Sequence, residues 1–210
     1  MEVNYPLDKH LIVAFEDGYF PPQTKGYKSK YKTLLVSVVF ENSKPKYFKM
    51  TLISIDGLDA TKKAMEILRE VIDRERKRPI VLLGGITFAG FNIIDPLIIH
   101  KEYNIPVIVV SKDKPDNDKV KEALIKNFPD WMERYGIIER FSSRASKLIE
   151  VCKYGKLYIR VVGLNEFEAK SIISKTQLTG GIPEPLREAK AIASAIARVY
   201  FQLLMSDEKK

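Results

Sequence analysis

Two pairs of acids stand directly after apolar runs, and acids so placed can hold a hard metal ion or move a proton. The run from His10 to Phe15 ends in Glu16-Asp17-Gly18, and the run closing at Ile55 is followed by Asp56, Gly57, Leu58 and Asp59. Adjacent carboxylates at the end of a buried strand cost desolvation unless a cation or hydrogen-bond donors satisfy them. Glu16 and Asp17 therefore read as site residues, with a plain Asp-Gly strand-to-turn transition as the alternative. Asp59 doubles as a helix N-cap candidate. That role does not explain Asp56.

The rest of the inventory narrows the chemistry. His10, His100 and Cys152 cannot assemble a zinc site within one chain, and neither histidine sits in a recognisable triad setting. Any metal is expected to be an oxygen-ligated ion such as Mg²⁺ or Mn²⁺. The single cysteine excludes an internal disulfide and makes a reducing cytoplasm the expectation. No stretch is apolar enough to span a membrane, and the N-terminal segment carrying Glu2 and Asp8 lacks a signal-peptide pattern.

The 35 basic residues exceed the 27 acidic ones, for a net charge of +8, which suits a polyanionic partner such as DNA or RNA. The same surface could instead meet a protein partner or a second copy of the chain. Abundant Lys, Glu and Ile with only three glutamines leans toward a thermophile. From Tyr19 to Lys32 a loop interleaves aromatics with lysines, so Tyr19 and Phe20 are candidates to stack on bases; a solvated connection between strands is the alternative. Lys112 and Lys114 follow a second apolar strand, and Arg187, Lys190 and Arg198 are the polar candidates on the last helix.

The elements that must position these groups follow from periodicity. Residues 10–15, 32–40 and 46–55 read as a three-stranded antiparallel meander, followed by a helix from about Ala60 to Arg76. Ile80 to Leu83 reads as a strand buried on both faces, ending at Gly84-Gly85, where the backbone must turn tightly or admit something close. Thr87 to Asn92 is too small and glycine-dotted to prolong it. Asp95-Pro96 then opens a helix over 95–103. Residues 106–110 form a further strand, parallel to 80–83 because the connection is a βαβ unit. Helices over 116–127 and 129–135, a hairpin of 148–152 with 156–162, a helix over 165–176 and a final helix to about Met205 complete one domain, 1–205, with a frayed tail at 206–210. Ligand sites in open α/β sheets form at carboxyl ends of strands, which is where Gly84 and the first acids stand.

Three antiparallel strands, helix, parallel strand, helix, parallel strand is the order of a ribonuclease-H-like mixed sheet. Nucleases of that class gather carboxylates on the first strand and at nearby strand ends to hold divalent metals. Glu16-Asp17-Gly18, the segment from Ile55 to Thr61, Leu82 to Asn92, Pro106 to Val110 with Lys112, and Pro183 to Arg187 together resemble the DUF99 (UPF0215) family, archaeal proteins related to endonuclease V. The resemblance covers nearly the whole chain. It implies a repair-type endonuclease fold whose relatives nick nucleic acid near deaminated bases with Mg²⁺ or Mn²⁺. Glu16, usually Asp in the family, takes the first-strand metal position with Asp17 beside it; Asp59, or Asp56, matches the acid after the third strand. Lys112 resembles the lysine that contacts the substrate phosphate.

Two positions depart from the family pattern. Leu83-Gly84-Gly85-Ile86 stands where the family has Leu-Asp-Gly-Ile, and Lys190 stands where it has histidine. Three expectations follow. One is a metal-dependent endonuclease using Glu16, Asp17, Asp56 and Asp59, with Glu16, Asp17 and Asp59 on the metal. Another is a member with impaired or lost cleavage that still binds nucleic acid or a protein partner through Lys112, Lys114, Arg187 and Lys190, and needs no metal. The third, an enzyme acting on a small phosphorylated molecule, rests only on the glycines at 84–85 and 180–181, without a phosphate-loop signature.

Overall fold

The computed structural model describes residues 10–207. A seven-stranded sheet runs through it, its strands in the order 44–54, 32–41, 11–17, 80–83, 107–111, 157–162 and 149–151. Strands β1 (Leu11–Asp17), β2 (Lys32–Glu41) and β3 (Lys44–Ser54) form the antiparallel meander. Helix α1 (Ala60–Glu75) then carries the chain to β4 (Ile80–Leu83), which pairs parallel to β1. Through α2 (Pro96–Tyr103) the chain crosses to β7 (Val107–Ser111), parallel to β4. These five strands are the ribonuclease-H-like core expected from the sequence.

Burial on both faces explains why the central strands read as unbroken apolar runs. Ile12 and Ala14 of β1 face a core shared with α5 (Glu166–Thr176) and α6 (Glu184–Asp207). Leu11, Val13 and Phe15, on alternate positions, face a core shared with α1 and α2. Helix α1 buries Ala60, Ala64, Ile67, Leu68 and Val71 on one stripe. The small side chains Ala189, Ala193 and Ala197 let α6 lie close to β1 and β2. Asp95 caps α2 as expected, accepting from the N–H groups of Leu97 and Ile98, and Pro96 occupies the first helical position.

The structure departs from the periodicity reading in three places. Residues 87–93 form a small hairpin, β5 (Thr87–Phe88) with β6 (Asn92–Ile93), outside the main sheet. After α3 (Asn117–Asn127), α4 runs from Trp131 to Arg144 and not just to 135, because Ile138 and Phe141 continue its buried stripe. Strands β8 (Ile149–Val151) and β9 (Leu157–Val162) are a hairpin as expected, and β9 extends the main sheet by pairing antiparallel to β7. Helix α6 begins at Glu184 and continues to Asp207, two residues into the expected tail.

Candidate functional site

The carboxyl ends of β1, β4 and β7 open into a cleft of about 450 Å³ bounded on the other side by the first turns of α6. Glu16, Gly84, Gly85, Lys112, Lys114 and Lys190 line it. Glu16 and Asp17 are the last two residues of β1, and alternation along a strand sends their side chains to opposite faces. Lys190 of α6 reaches both. Its ammonium lies 2.8 Å from Asp17 Oδ1, 3.2 Å from the Asp17 carbonyl oxygen and 3.5 Å from Glu16 Oε2.

One cation stands against two carboxylates, so one acid stays uncompensated. The structure places that burden on Glu16, the more distant partner, whose side chain is only 15% exposed. Burial pushes its pKa up to about 7; Lys190 opposes the rise and the Asp17 charge adds to it. Burial works against the charge of Lys190, but Asp17 and Glu16 outweigh it and hold the ammonium above its ordinary pKa.

Glu16 also explains Gly84. A β-carbon on Gly84 would sit 1.8 Å from Glu16 Oε1 and 2.4 Å from its Cδ. The glutamate carboxylate therefore fills the room that any side chain at 84 would need.

Backbone N–H groups engage the other oxygen of Asp17 and both oxygens of Asp56, and one backbone N–H and two side chains engage Asp59. Asp17 Oδ2 accepts from the Ala89 N–H at 2.6 Å. Asp56 is 4% exposed, sits at φ +55°, and accepts from the N–H groups of Phe91 (2.9 Å) and Gly26 (2.8 Å). Its own N–H donates to the Ala89 carbonyl at 2.8 Å. Gly90 has φ +87°, and a β-carbon there would lie 2.2 Å from Asp56 Oδ1, so glycine is required twice over. Asp59 occupies the N-cap position of α1 without capping it. It accepts from Ser54 N–H, Ser54 Oγ and Asn92 Nδ2.

The sequence-expected acids thus divide into two groups. Glu16 lies at the Gly84 corner and lines the cleft, and Asp17, which does not line it, shares Lys190 with Glu16 and accepts from Ala89. Asp56 and Asp59 hold the 89–92 segment and the start of α1, and neither lines the cleft. Among the described residues no three His, Cys, Asp or Glu side chains are disposed to hold a metal ion. The oxygen pair that could begin such a site already bonds an ammonium and an amide.

The expected basic groups divide likewise. Lys112 and Lys114 are exposed, line the cleft and make no ion pair among the described residues. Arg187 is exposed, pairs with Glu184 one turn back on α6, and does not line the cleft. Tyr19 is 38% exposed, whereas Phe20 packs against the core with Lys25 over its ring.

Two supporting residues escaped the sequence reading. Asn92 is fully buried, its Oδ1 accepting from the N–H groups of Ala60 and Ile93 while Nδ2 donates to Ser54 O and Asp59. Arg134, 2% exposed, donates through Nη1 to the carbonyls of Gly57 and Phe91, with Nε and Nη2 on Asp130. Arg134 and Asp130 are spaced i,i+4, which reads equally well as a surface pair. Only the packing of α4 on the 89–92 segment buries it.

Comparison with known proteins agrees with this architecture. The family model described as Endonuclease dU matches residues 9–197. A UPF0215 protein of Thermococcus gammatolerans is 39% identical over 186 residues, covering 88% of this chain and 91% of its own. A crystal structure of a protein of unknown function from Archaeoglobus fulgidus superposes with a TM-score of 0.74 at 30% identity, covering 90% of this chain and 98% of the other. Endonuclease V of Ciona intestinalis, solved with a 23mer DNA containing an inosine followed by a ribo-adenosine, shares the fold with a TM-score of 0.54 at 13% identity, covering 92% and 86% of the two chains. The chain belongs to the Endonuclease dU family, the UPF0215 proteins, and has the fold of endonuclease V.

Proposed function

We propose that this protein is an endonuclease V-like nucleic-acid-binding protein whose cleft seats a strand phosphate without a divalent metal, and whose cleavage is impaired or lost. The observation that carries the reading is Lys190, whose ammonium lies 2.8 Å from Asp17 Oδ1 and 3.5 Å from Glu16 Oε2. It supplies the positive charge that a metal would bring to these acids, and it repels a metal brought nearby. Lys112 and Lys114, on the opposite rim, add two exposed cations without carboxylate partners among the described residues. A phosphate between these rims would meet three ammonium groups. The family and the inosine-containing DNA in the neighbouring endonuclease V support DNA or RNA with deaminated bases as the ligand, and a role in repair.

The test is to titrate the protein with inosine- and uracil-containing DNA and RNA in EDTA, and then to assay cleavage with Mg²⁺ or Mn²⁺. Binding is expected to persist in EDTA and to weaken steeply with salt, since phosphate neutralisation releases counterions. No cleavage above background is expected. Efficient metal-dependent cleavage, lost in Asp17→Ala, would overturn the reading in favour of an active endonuclease using Glu16 and Asp17. Salt-independent binding would overturn the phosphate seat itself.

A further inference from the structure

Beyond the cleft, α6 leads to a second feature that neither the acids nor the phosphate seat uses. The chain leaving β1 is locked along this helix. Asp17 bonds Lys190, Gly18 lies so close that a β-carbon would stand 2.6 Å from Ala197 Cβ, and Tyr19 meets Phe201 edge to face at 6.4 Å. The Gly18 N–H donates to Leu34 O at 2.8 Å and Thr33 Oγ1 donates to the Tyr19 carbonyl at 2.9 Å. Tyr19 is therefore a fixed platform, still 38% exposed.

Arg198 lies over that platform, its guanidinium carbon 4.7 Å from the ring centroid. It is exposed and makes no ion pair among the described residues, whereas Lys46, Lys49, Lys77, Lys156 and Arg187 all have carboxylate partners. Tyr19, Gln23, Arg198 and Gln202 line an open cleft of about 430 Å³. An aromatic face, a guanidinium and two amides are the groups that stack on and hydrogen-bond a nucleobase.

We propose that Tyr19 and Arg198 form a shelf for a base of a single nucleic-acid strand whose phosphate is seated at Lys112, Lys114 and Lys190. The proposal rests on the phosphate-seat reading and adds a direction and a length to it. Lys190 and Arg198 are eight residues apart on one helix, an axial rise of about 12 Å. At about 3.4 Å per nucleotide of a stacked strand, the shelf lies about three to four nucleotides from the seated phosphate. A strand leaving the seat along α6 reaches it, and a dinucleotide does not.

That length separates the two ideas experimentally. The affinity of a single-stranded eight-nucleotide DNA and of a 5′-phosphorylated dinucleotide is measured at low salt for the full chain and for Tyr19→Ala, Tyr19→Phe, Arg198→Ala and Lys112→Ala/Lys114→Ala, with melting curves for each. Tyr19→Ala and Arg198→Ala are each expected to weaken the octamer about tenfold and leave the dinucleotide unchanged, with Tyr19→Phe retaining octamer affinity. Arg198 is exposed, so its truncation keeps the proposal testable even if Tyr19→Ala destabilises the fold. An octamer indifferent to Arg198→Ala, or a dinucleotide weakened as much as the octamer, would overturn the shelf while leaving the seat standing. Indifference of both probes to Lys112→Ala/Lys114→Ala would overturn the seat, and the shelf with it.

Discussion

The carboxylate of Glu16 occupies the space of a side chain at residue 84: a β-carbon on Gly84 would fall 1.8 Å from Glu16 Oε1. The two positions, on neighbouring parallel strands, are therefore coupled. A glutamate at the end of β1 is compatible with glycine at the end of β4, and enlarging 84 must displace the carboxylate that Lys190 helps to hold. Gly84→Ala is expected to cost about 1 kcal/mol, at the low end for overpacking because the obstructing atoms end a flexible side chain. Combined with Glu16→Gly it should cost much less than the sum of the single changes. A double-mutant cycle by denaturant unfolding checks this; additive changes would mean that the carboxylate leaves the corner freely.

The same geometry sets what is needed to rebuild an acidic corner. Gly84→Asp with Lys190→His still leaves Glu16 across residue 84, so the carboxylate added at 84 is expected to strengthen the Mn²⁺-induced rise in melting temperature only when Glu16→Asp is made as well. Truncating the cation alone gives a simpler measurement. Lys190→Ala frees Asp17 Oδ1 and Glu16 Oε2 from their ammonium. At ten times its dissociation constant Mn²⁺ would then stabilise by about 1.4 kcal/mol, or about 3–6 °C for a chain of this size. The unmodified protein should show no shift, and an equal shift in both would mean that the ammonium does not guard the acids.

How much of this corner could be read from the chain depends on how local each cause is. The acids ending β1, the glycines ending β4 and the βαβ crossover to β7 are written in runs of adjacent residues, and they fixed the sheet order and the cleft. Lys190 is 173 residues from Asp17, and only the packing of Ala193 and Ala197 against Gly18 sets it opposite the acids. The obstruction at Gly84 depends on strand register, Phe15 opposite Leu83, which no periodicity specifies. Arg134 looks like one of many surface arginines until α4 is longer than its first turns suggest. Asp56 stood out as an acid after a strand that no cap explains and Asp59 read as an N-cap, but the donors that satisfy them are the N–H groups of Gly26, Ser54 and Phe91, the Ser54 hydroxyl and the Asn92 amide.

Glu16 should also give the fold a distinctive pH dependence. Its folded pKa is raised to about 7 from an ordinary 4.5, chiefly by burial. Between those values the folded protein holds a proton that the unfolded chain releases. Its contribution is fully present below about pH 4.5 and is lost as pH rises through about 7. The swing is roughly 3 kcal/mol. Glu16→Gln removes it, so the stability of the variant relative to the parent should rise between pH 5 and 8 in urea titrations. A constant difference across that range would show that Glu16 titrates normally in the folded state.

Asp56 and Asp59 offer the sharpest contrast between holding a loop and serving chemistry. Asp56 accepts one backbone N–H on each oxygen, from Gly26 and Phe91, and Asp59 accepts from Ser54 and Asn92. Amide replacement turns one acceptor into a donor that faces an N–H at Asp56, leaving a buried group unsatisfied. Asp56→Asn is therefore expected to lose about 1–3 kcal/mol of stability, and amide exchange should accelerate across residues 86–93, which the acid pins. Under the proposed phosphate seat, nucleic-acid affinity rests on cations of a cleft that Asp56 does not line, so it should fall only as far as the folded fraction falls. Unchanged melting with a loss of binding or cleavage would instead place Asp56 among the groups that touch the nucleic acid.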